Sequence, residues 1–435
     1  MSTVAARRAF TSAEDWQCTT LGHVAQVKGG KRLPKGEKFA DTVTPFPYIR
    51  VTDFANFGID TSDLRYLTPE TRATIERYTI SKNDVYISIA GSIGITGMIP
   101  ARLDGANLTE NAAKLVLNED VIDSRFLMYY FASEVAQTEI RGETVKNAQP
   151  KLALARIASL SIPLPPLPEQ QKIAAVLGLV QRAIEQQERL IALTTELKKA
   201  LLHKVFTEGL RGESQKQTEI GPLPESWEIV RLGEICTLGT GTTPSTARPE
   251  YYNGDVPFVK TADIANNRIN ISQTNVSNEA VKDCGLKLYP PGTVLMAMYG
   301  QGKTRGQVSL LEISAATSQN AAAIQPSTEI NSEFLWQYLM SRYQVLRGSG
   351  ALGHISHLNL GYVRDFQIPK PSIVIQREIA EILRTIDSRL TLIESRKRLL
   401  CDLFRTLLHQ LMTAQIRVND LDPSALPAFF EKLTA

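Results

Sequence analysis

The chain has 435 residues, 43% hydrophobic and 21% charged, and its 48 Lys and Arg against 45 Asp and Glu leave a formal net charge of +3. At roughly 100–200 residues per domain this length makes two to four domains; the apolar fraction excludes a disordered chain, and the balanced charge excludes a uniformly basic coat while leaving local patches open. No apolar run approaches the ~20 residues of a membrane span, no apolar signal core follows the arginines of MSTVAARRAF, and Cys18, Cys236, Cys284 and Cys401 form no CxxC pair, which predicts a cytoplasmic protein with reduced thiols and no structural zinc.

In chain order, residues 1–165 predict a mixed domain with short strands such as Val85-Tyr86-Ile87-Ser88-Ile89 and a helix near 124–133. Pro163, Pro165, Pro166 and Pro168 then interrupt regular structure, and Glu169 is placed to favour the first turn of a long helix over 166–212. Its apolar seam runs Ile173, Leu177, Val180, Ile184, then weakens through Gln187, Ile191, Thr194 and Lys198, where Leu190, Leu193 and Leu197 shift the stripe. Residues 213–371 predict a second mixed domain, with a strand over 293–298 and a helix over 332–341. A second long helix over 372–417 carries Ile379, Leu383, Ile386, Leu390, Ile393, Lys397, Leu400, Phe404, Leu407 and Leu411 in steps of four and three, a coiled-coil seam broken only by Lys397. A tail, 418–435, follows.

The second half repeats the first. Trp16 with Leu21-Gly22 returns as Trp227 with Leu232-Gly233, Pro47-Tyr48-Ile49-Arg50-Val51-Thr52-Asp53 as Pro257-Phe258-Val259-Lys260-Thr261-Ala262-Asp263, Asn111-Ala112-Ala113 as Asn320-Ala321-Ala322, and Leu201-Leu202-His203 as Leu407-Leu408-His409. A period above 200 residues is far from the ~20–50 of a solenoid and indicates duplication of a two-part module. At ~1.5 Å per residue each helix is about 60 Å long, and its seam needs a partner. The expected fold is α+β: two similar domains separated by two long helices packed as an antiparallel coiled coil, a pseudo-two-fold arrangement of the kind that reads paired half-sites on a duplex.

The runs IPLPPLPEQQKIAAVL (162–177), IPKPSIVIQREIAEIL (368–383), LTTELKKALLHKVFTEGLRG (193–212) and LPESWEIVRLGEICTLGTG (223–241) resemble the DNA-specificity subunit of type I restriction-modification systems, over essentially the whole chain. The resemblance implies that each mixed domain is a target recognition domain reading one half of a split double-stranded DNA sequence. It implies that the helices set the gap between halves and dock two DNA methyltransferase subunits, the spacer residues being Ile173, Leu177, Val180, Ile184, Ile379, Leu383, Ile386, Leu390 and Ile393. It also implies a non-catalytic chain without cofactor or membrane partner, with S-adenosylmethionine, ATP and Mg in the modification and motor-nuclease subunits. In the second proline segment Lys370, Ser372 and Ile373 depart from the first, so the two docking surfaces are expected to differ.

Basic and amide side chains in loops supply the DNA-binding candidates. Lys28, Lys31, Arg32 and Lys35, with Lys38, form a phosphate-binding edge or a solvated loop, whereas the counterpart around Arg248 is rich in hydroxyls and predicts a different half-site. Arg50 and Lys260 stand beside the matched Asp53 and Asp263, where an ion pair serving the fold competes with a phosphate contact. Lys146, Asn147, Gln149 and Lys151 align with His354, His357 and Asn359 as a third zone able to mix base readout and positioning. Lys303 and Arg305 lie in a glycine-rich loop, Gly300–Thr304, and the stretch Ala297–Thr304 also satisfies a relaxed phosphate-loop pattern with Ala in place of the first Gly. A nucleotide-binding enzyme is therefore one alternative and a non-DNA coiled-coil scaffold another. No Asn/Asp-Pro-Pro-aromatic methylase motif is present, and His354-x-x-His357 lacks companion metal ligands.

Overall fold

The computed structural model describes residues 16–144, 150–300, 303–348 and 358–418. It divides into two compact units, Met1–Glu188 with Ser395–Ala435, and Arg189–Glu394. Each long helix, Leu167–Glu208 and Ile373–Met412, gives about one half to each unit.

In the first unit a four-stranded antiparallel sheet has the order Ala25–Gly29, Ala112–Leu117, Val85–Ser88, Thr96–Met98. A second sheet orders Arg65–Tyr66, Pro47–Ile49, Ala106–Leu108 and Thr79–Ile80, with Pro47–Ile49 parallel to Ala106–Leu108. The other unit repeats the order as Cys236–Thr240, Ala321–Pro326, Val294–Ala297, Val308–Leu311, adding Arg268–Ile269 at the edge. It also repeats the parallel pair as Val256–Val259 with Ala316–Thr317. The helices expected near 124–133 and 332–341 are Ser124–Ala132, capped by Asp123, and Ser332–Ser341, capped by Asn331.

Each mixed part is tied to its long helix by a buried glutamine. Gln170 accepts from the Asp123 N–H at 2.9 Å and donates to the Val121 and Pro165 carbonyls at 3.0 and 2.8 Å. Gln376 accepts from the Asn331 N–H at 2.8 Å and donates to the Glu329 and Pro371 carbonyls at 3.1 and 2.8 Å. Both side chains are fully enclosed, so these bonds satisfy backbone groups at the cap of one helix and the start of another that water cannot reach.

The departure between the two proline segments has a structural counterpart. The buried Glu169 carboxylate accepts from Trp16 Nε1 at 3.3 Å and takes a two-pronged contact from Arg417 at 2.9 and 3.1 Å. Ile375 occupies the repeat position of Glu169, and Trp227, buried where Trp16 would recur, has an indole N–H with no acceptor among the described residues. It packs instead on Phe334.

The seams behave as the heptads predict at their ends. Ile173, Leu177 and Val180 join Leu400, Phe404, Leu408 and Leu411 in one core, and Val205 and Phe206 join Ile379 and Leu383 in another. In the first unit, contacts Glu169 to Arg417 and Glu188 to Lys397 descend along the second helix region as they ascend the first, an antiparallel register. The weak middle is polar and paired. Lys397, the seam breaker, lies 2.9 Å from Glu188, and in the second unit Lys198 lies 2.5 Å from Asp387, which also accepts from Gln337 Nε2 at 2.6 Å. Leu190, Leu193 and Leu197, the stripe that competes with the seam, point outward and are 44%, 52% and 59% exposed.

Candidate nucleic-acid interface

The basic loop of the first unit is fixed by an unusually close approach of backbone to backbone. After strand Ala25–Gly29 the Gly30 N–H donates to the Ala112 carbonyl at 3.0 Å and the Lys31 N–H to the Leu108 carbonyl at 2.8 Å. A Cβ on Gly30 would stand 2.1 Å from the Thr109 carbonyl oxygen, so only glycine fits. The Tyr48 hydroxyl donates to the Lys31 carbonyl at 2.8 Å, and burial pushes that phenol up to about 12.

This geometry brings together residues that are far apart in sequence. Lys31, Arg32, Glu110 and Lys151 line one groove of about 340 Å³, with Ile89 and Leu152 among its apolar walls. The groove forms because the hairpin loop after Val85–Ser88 meets the segment before helix Leu154–Ala158: Ala90 bridges to Lys151, and the Leu152 N–H donates to the Ile89 carbonyl at 2.9 Å. Lys31 Nζ lies 5.7 Å above the Tyr78 ring, and Arg32 is 3.7 Å from Glu110 with its side chain 77% exposed. Lys28 is exposed on the adjoining strand, opposite Lys114 in register, Lys35 is exposed in the turn that follows and Lys38 just beyond it. Exposed cationic side chains around a concave edge suit a phosphate backbone.

The second unit holds the same frame with other side chains. Gly241 approaches Thr317 as Gly30 approaches its counterpart Leu108, a Cβ being placed 1.6 Å from the Thr317 carbonyl oxygen and 2.3 Å from that of Leu108. The Leu358 N–H donates to the Met298 carbonyl at 2.9 Å, as Leu152 does to Ile89. Thr242 and Thr243 stand where Lys31 and Arg32 stand in the first copy, both exposed. Arg248 is held by Glu250, Glu279 and Asp283 and lies 4.0 Å over the Tyr251 ring.

The remaining candidates have distinct placements. Arg50 is clamped: Asp53 accepts from it at 2.6 and 3.2 Å and Asp63 at 3.1 Å, contacts that raise the guanidinium pKa above its ordinary value, the Asp53 hydrogen bond first among them. Asp53 and Asp263 do matched work, accepting from the Arg50 and Lys260 backbone N–H at 2.7 and 2.8 Å to start the short helical turns Val51–Asp53 and Thr261–Asp263. The Lys260 side chain is exposed. Lys303 is exposed, with its carbonyl taken by the Tyr343 hydroxyl at 2.6 Å, and Arg305 donates to the Arg347 carbonyl at 3.0 Å. Asn359 caps helix Leu360–Asp365 by accepting from the Tyr362 N–H at 2.8 Å. Lys146, Asn147, Gln149, His354 and His357 lie outside the described residues.

The phosphate-loop pattern sits between antiparallel strands Val294–Ala297 and Val308–Leu311. Among the described residues the chain passes from Lys303 through a turn into the second of these strands, and no helix begins there to face a phosphate. Of the spacer residues, Ile173, Leu177, Val180, Ile379, Leu383 and Ile393 are buried within the chain's own packing, and Ile184, Ile386 and Leu390 are half-buried. Leu190, Leu193 and Leu197 are exposed on the first long helix, and Ile382, Leu392 and Leu399 on the second. Among the described residues no helix is long and apolar enough to cross a membrane and no His/Cys/Asp/Glu group of three or more is arranged to hold a metal.

The family described as the type I restriction modification DNA specificity domain matches residues 13–195 and 224–400, once in each half. The putative type I restriction enzyme MjaX specificity subunit of Methanocaldococcus jannaschii is 25% identical over 420 residues, 93% of this chain and 95% of that one. The MjaIX specificity subunit of the same organism is 30% identical over 202 residues, 45% of either chain. The crystal structure of a type I restriction-modification S subunit from M. genitalium superposes with a TM-score of 0.60 at 18% identity, covering 91% of this chain and 96% of that one, a likeness of fold. With the family matched twice, over both repeated units, this chain belongs to the type I restriction-modification DNA specificity family.

Proposed function

We propose that the chain is the sequence-reading subunit of a type I restriction-modification complex, each mixed domain recognising one half of a split, asymmetric duplex target. The observation that carries this reading is the repeated frame with exchanged side chains: Lys31 and Arg32 in one copy, Thr242 and Thr243 in the other, each following a glycine that no other residue can replace. A frame kept while its exposed chemistry changes is what two readers of unlike half-sites require. The two long helices set the gap between halves. They also dock two methyltransferase subunits, to which Leu190, Leu193 and Leu197 offer an exposed stripe on one helix.

The chain contributes recognition and no bond chemistry. Adenine methylation with S-adenosylmethionine belongs to the modification subunits, and ATP- and Mg-dependent translocation and cleavage to motor-nuclease subunits, all acting in the cytoplasm. The test is methylome sequencing of cells carrying the complete system. Modified adenines in a bipartite motif with two unlike halves support the proposal, and methylation without such a motif overturns it. Failure of the assembled complex to retard duplex DNA favours the scaffold alternative.

A further inference from the structure

Resting on the duplex reading above, we infer that Glu110 and its repeat counterpart Gln319 are base-reading residues, Glu110 selecting a cytosine in one half-site and Gln319 an adenine in the other. Their equivalence follows from hydrogen bonds on either side. The Thr109 N–H donates to the Ile49 carbonyl at 3.0 Å as the Ser318 N–H does to Val259 at 3.1 Å, and the Ile89 N–H donates to the Asn111 carbonyl at 2.8 Å as Met298 does to Asn320 at 3.0 Å. Residues 110 and 319 thus occupy one point of the repeated frame, beside the glycine-anchored loop.

Glu110 is the carboxylate of a groove whose other charged groups are Lys31, Arg32 and Lys151. Facing a polyanion, a carboxylate weakens binding unless it meets a hydrogen-bond donor. The fold does not require it there: its ion pair is loose at 3.7 Å to a mostly exposed arginine, and such pairs add little stability. The Thr109 hydroxyl donates to Oε2 at 3.1 Å, which orients the carboxylate. Donors on base edges in the major groove are the cytosine N4 and adenine N6 amines. Adenine presents the N7 acceptor beside its amine, and an ionised carboxylate has no proton for it, so cytosine is the better partner. An amide has both a donor and an acceptor and pairs with N6 and N7 of adenine together. Gln319 is exposed, with its backbone N–H directed to Thr243 Oγ1 at 3.4 Å.

The experiment determines the methylated motif of the intact complex, then repeats it with Glu110→Gln and Gln319→Glu, checking by thermal melting that each variant folds. Glu110→Gln should shift one position of one half-site from cytosine towards adenine, changing discrimination there by roughly 5- to 150-fold, and leave the other half untouched. Gln319→Glu should do the converse in the other half. A wild-type complex with no split motif overturns the duplex reading beneath this inference. A wild-type split motif that both folded variants retain, or a uniform loss of affinity for all sequences, overturns the base-reading assignment alone.

Discussion

Replacing Asp387 with Ala removes the carboxylate that pairs with Lys198 and Gln337 in the middle of the long helices, where the apolar seam fails. The Lys198 and Asp387 side chains are 15% and 18% exposed and their charged atoms are 2.5 Å apart, while Gln337 is fully buried and donates to the second carboxylate oxygen at 2.6 Å. Hydrogen bonds to a charged group contribute about 1.5–3 kcal/mol each, and an unpaired ammonium left in a half-dry seam adds a desolvation cost that the lysine stem relieves in part. The combined loss is about 3 kcal/mol. For a unit of roughly 200 residues that lowers Tm by about 6–12 °C. Lys198→Met combined with Asp387→Leu should recover most of this, because an apolar pair can replace a buried ion pair at little cost. The assay is a double-mutant cycle followed by thermal unfolding of the full chain. A fall of less than about 1 °C for Asp387→Ala, or strictly additive effects in the cycle, would refute the claim that this pair fixes the seam.

Three further outcomes are expected. Gln170→Ala and Gln376→Ala each strand three backbone hydrogen bonds in a buried place and should cost about 3 kcal/mol, against less than about 0.5 kcal/mol for the exposed Gln171→Ala, read by chemical denaturation. Lys31, Arg32 and Lys151 replaced together by Ala should reduce the slope of log K against log salt by roughly 2–3, near 0.9 for each phosphate that is no longer neutralised, read by titrating the assembled complex with duplex DNA over a salt series. The hydrogen bond from Lys397 to Glu188 raises the lysine pKa above 10.5 in the folded state. Its stabilisation is therefore full below that value and disappears as pH rises through the higher folded one, so Tm measured from about pH 9 to pH 12 should fall less steeply in Lys397→Met.

The duplication, the strands over 85–89 and 293–298 and both long helices were legible because they rest on local pattern: heptad spacing, proline stops and alternating apolar runs. The sheet order was not legible, since pairing Ala112–Leu117 between Ala25–Gly29 and Val85–Ser88 is a non-local choice that local pattern leaves open. Lys397 stands out in the sequence as a fault in the seam, yet its remedy, Glu188, lies on the other helix and carries no local signal. Arg50 illustrates the reverse: its motif partner Asp53 is visible in the sequence, and three-dimensional placement adds Asp63 and closes the clamp. Glu110 has no sequence signal, because a single glutamate beside Asn111 forms no pattern; only the meeting of loops 30–32, 109–111 and 151–154 gives it basic neighbours. The clamp glutamines could have been found, since Gln170 and Gln376 recur at matched positions after matched prolines.

If two unlike half-sites are read at a fixed separation, binding must depend on the length of the spacer between them. The assembled complex, with its methyltransferase subunits, is titrated with duplexes carrying both half-sites of the methylated motif at the native spacing, or with one base pair added or removed. Each base-pair step turns the second half-site by about 35° and displaces it by about 3.4 Å, so the account predicts high affinity at the native spacing and a return to non-specific binding at either neighbour. Equal affinity at all three spacings would contradict it.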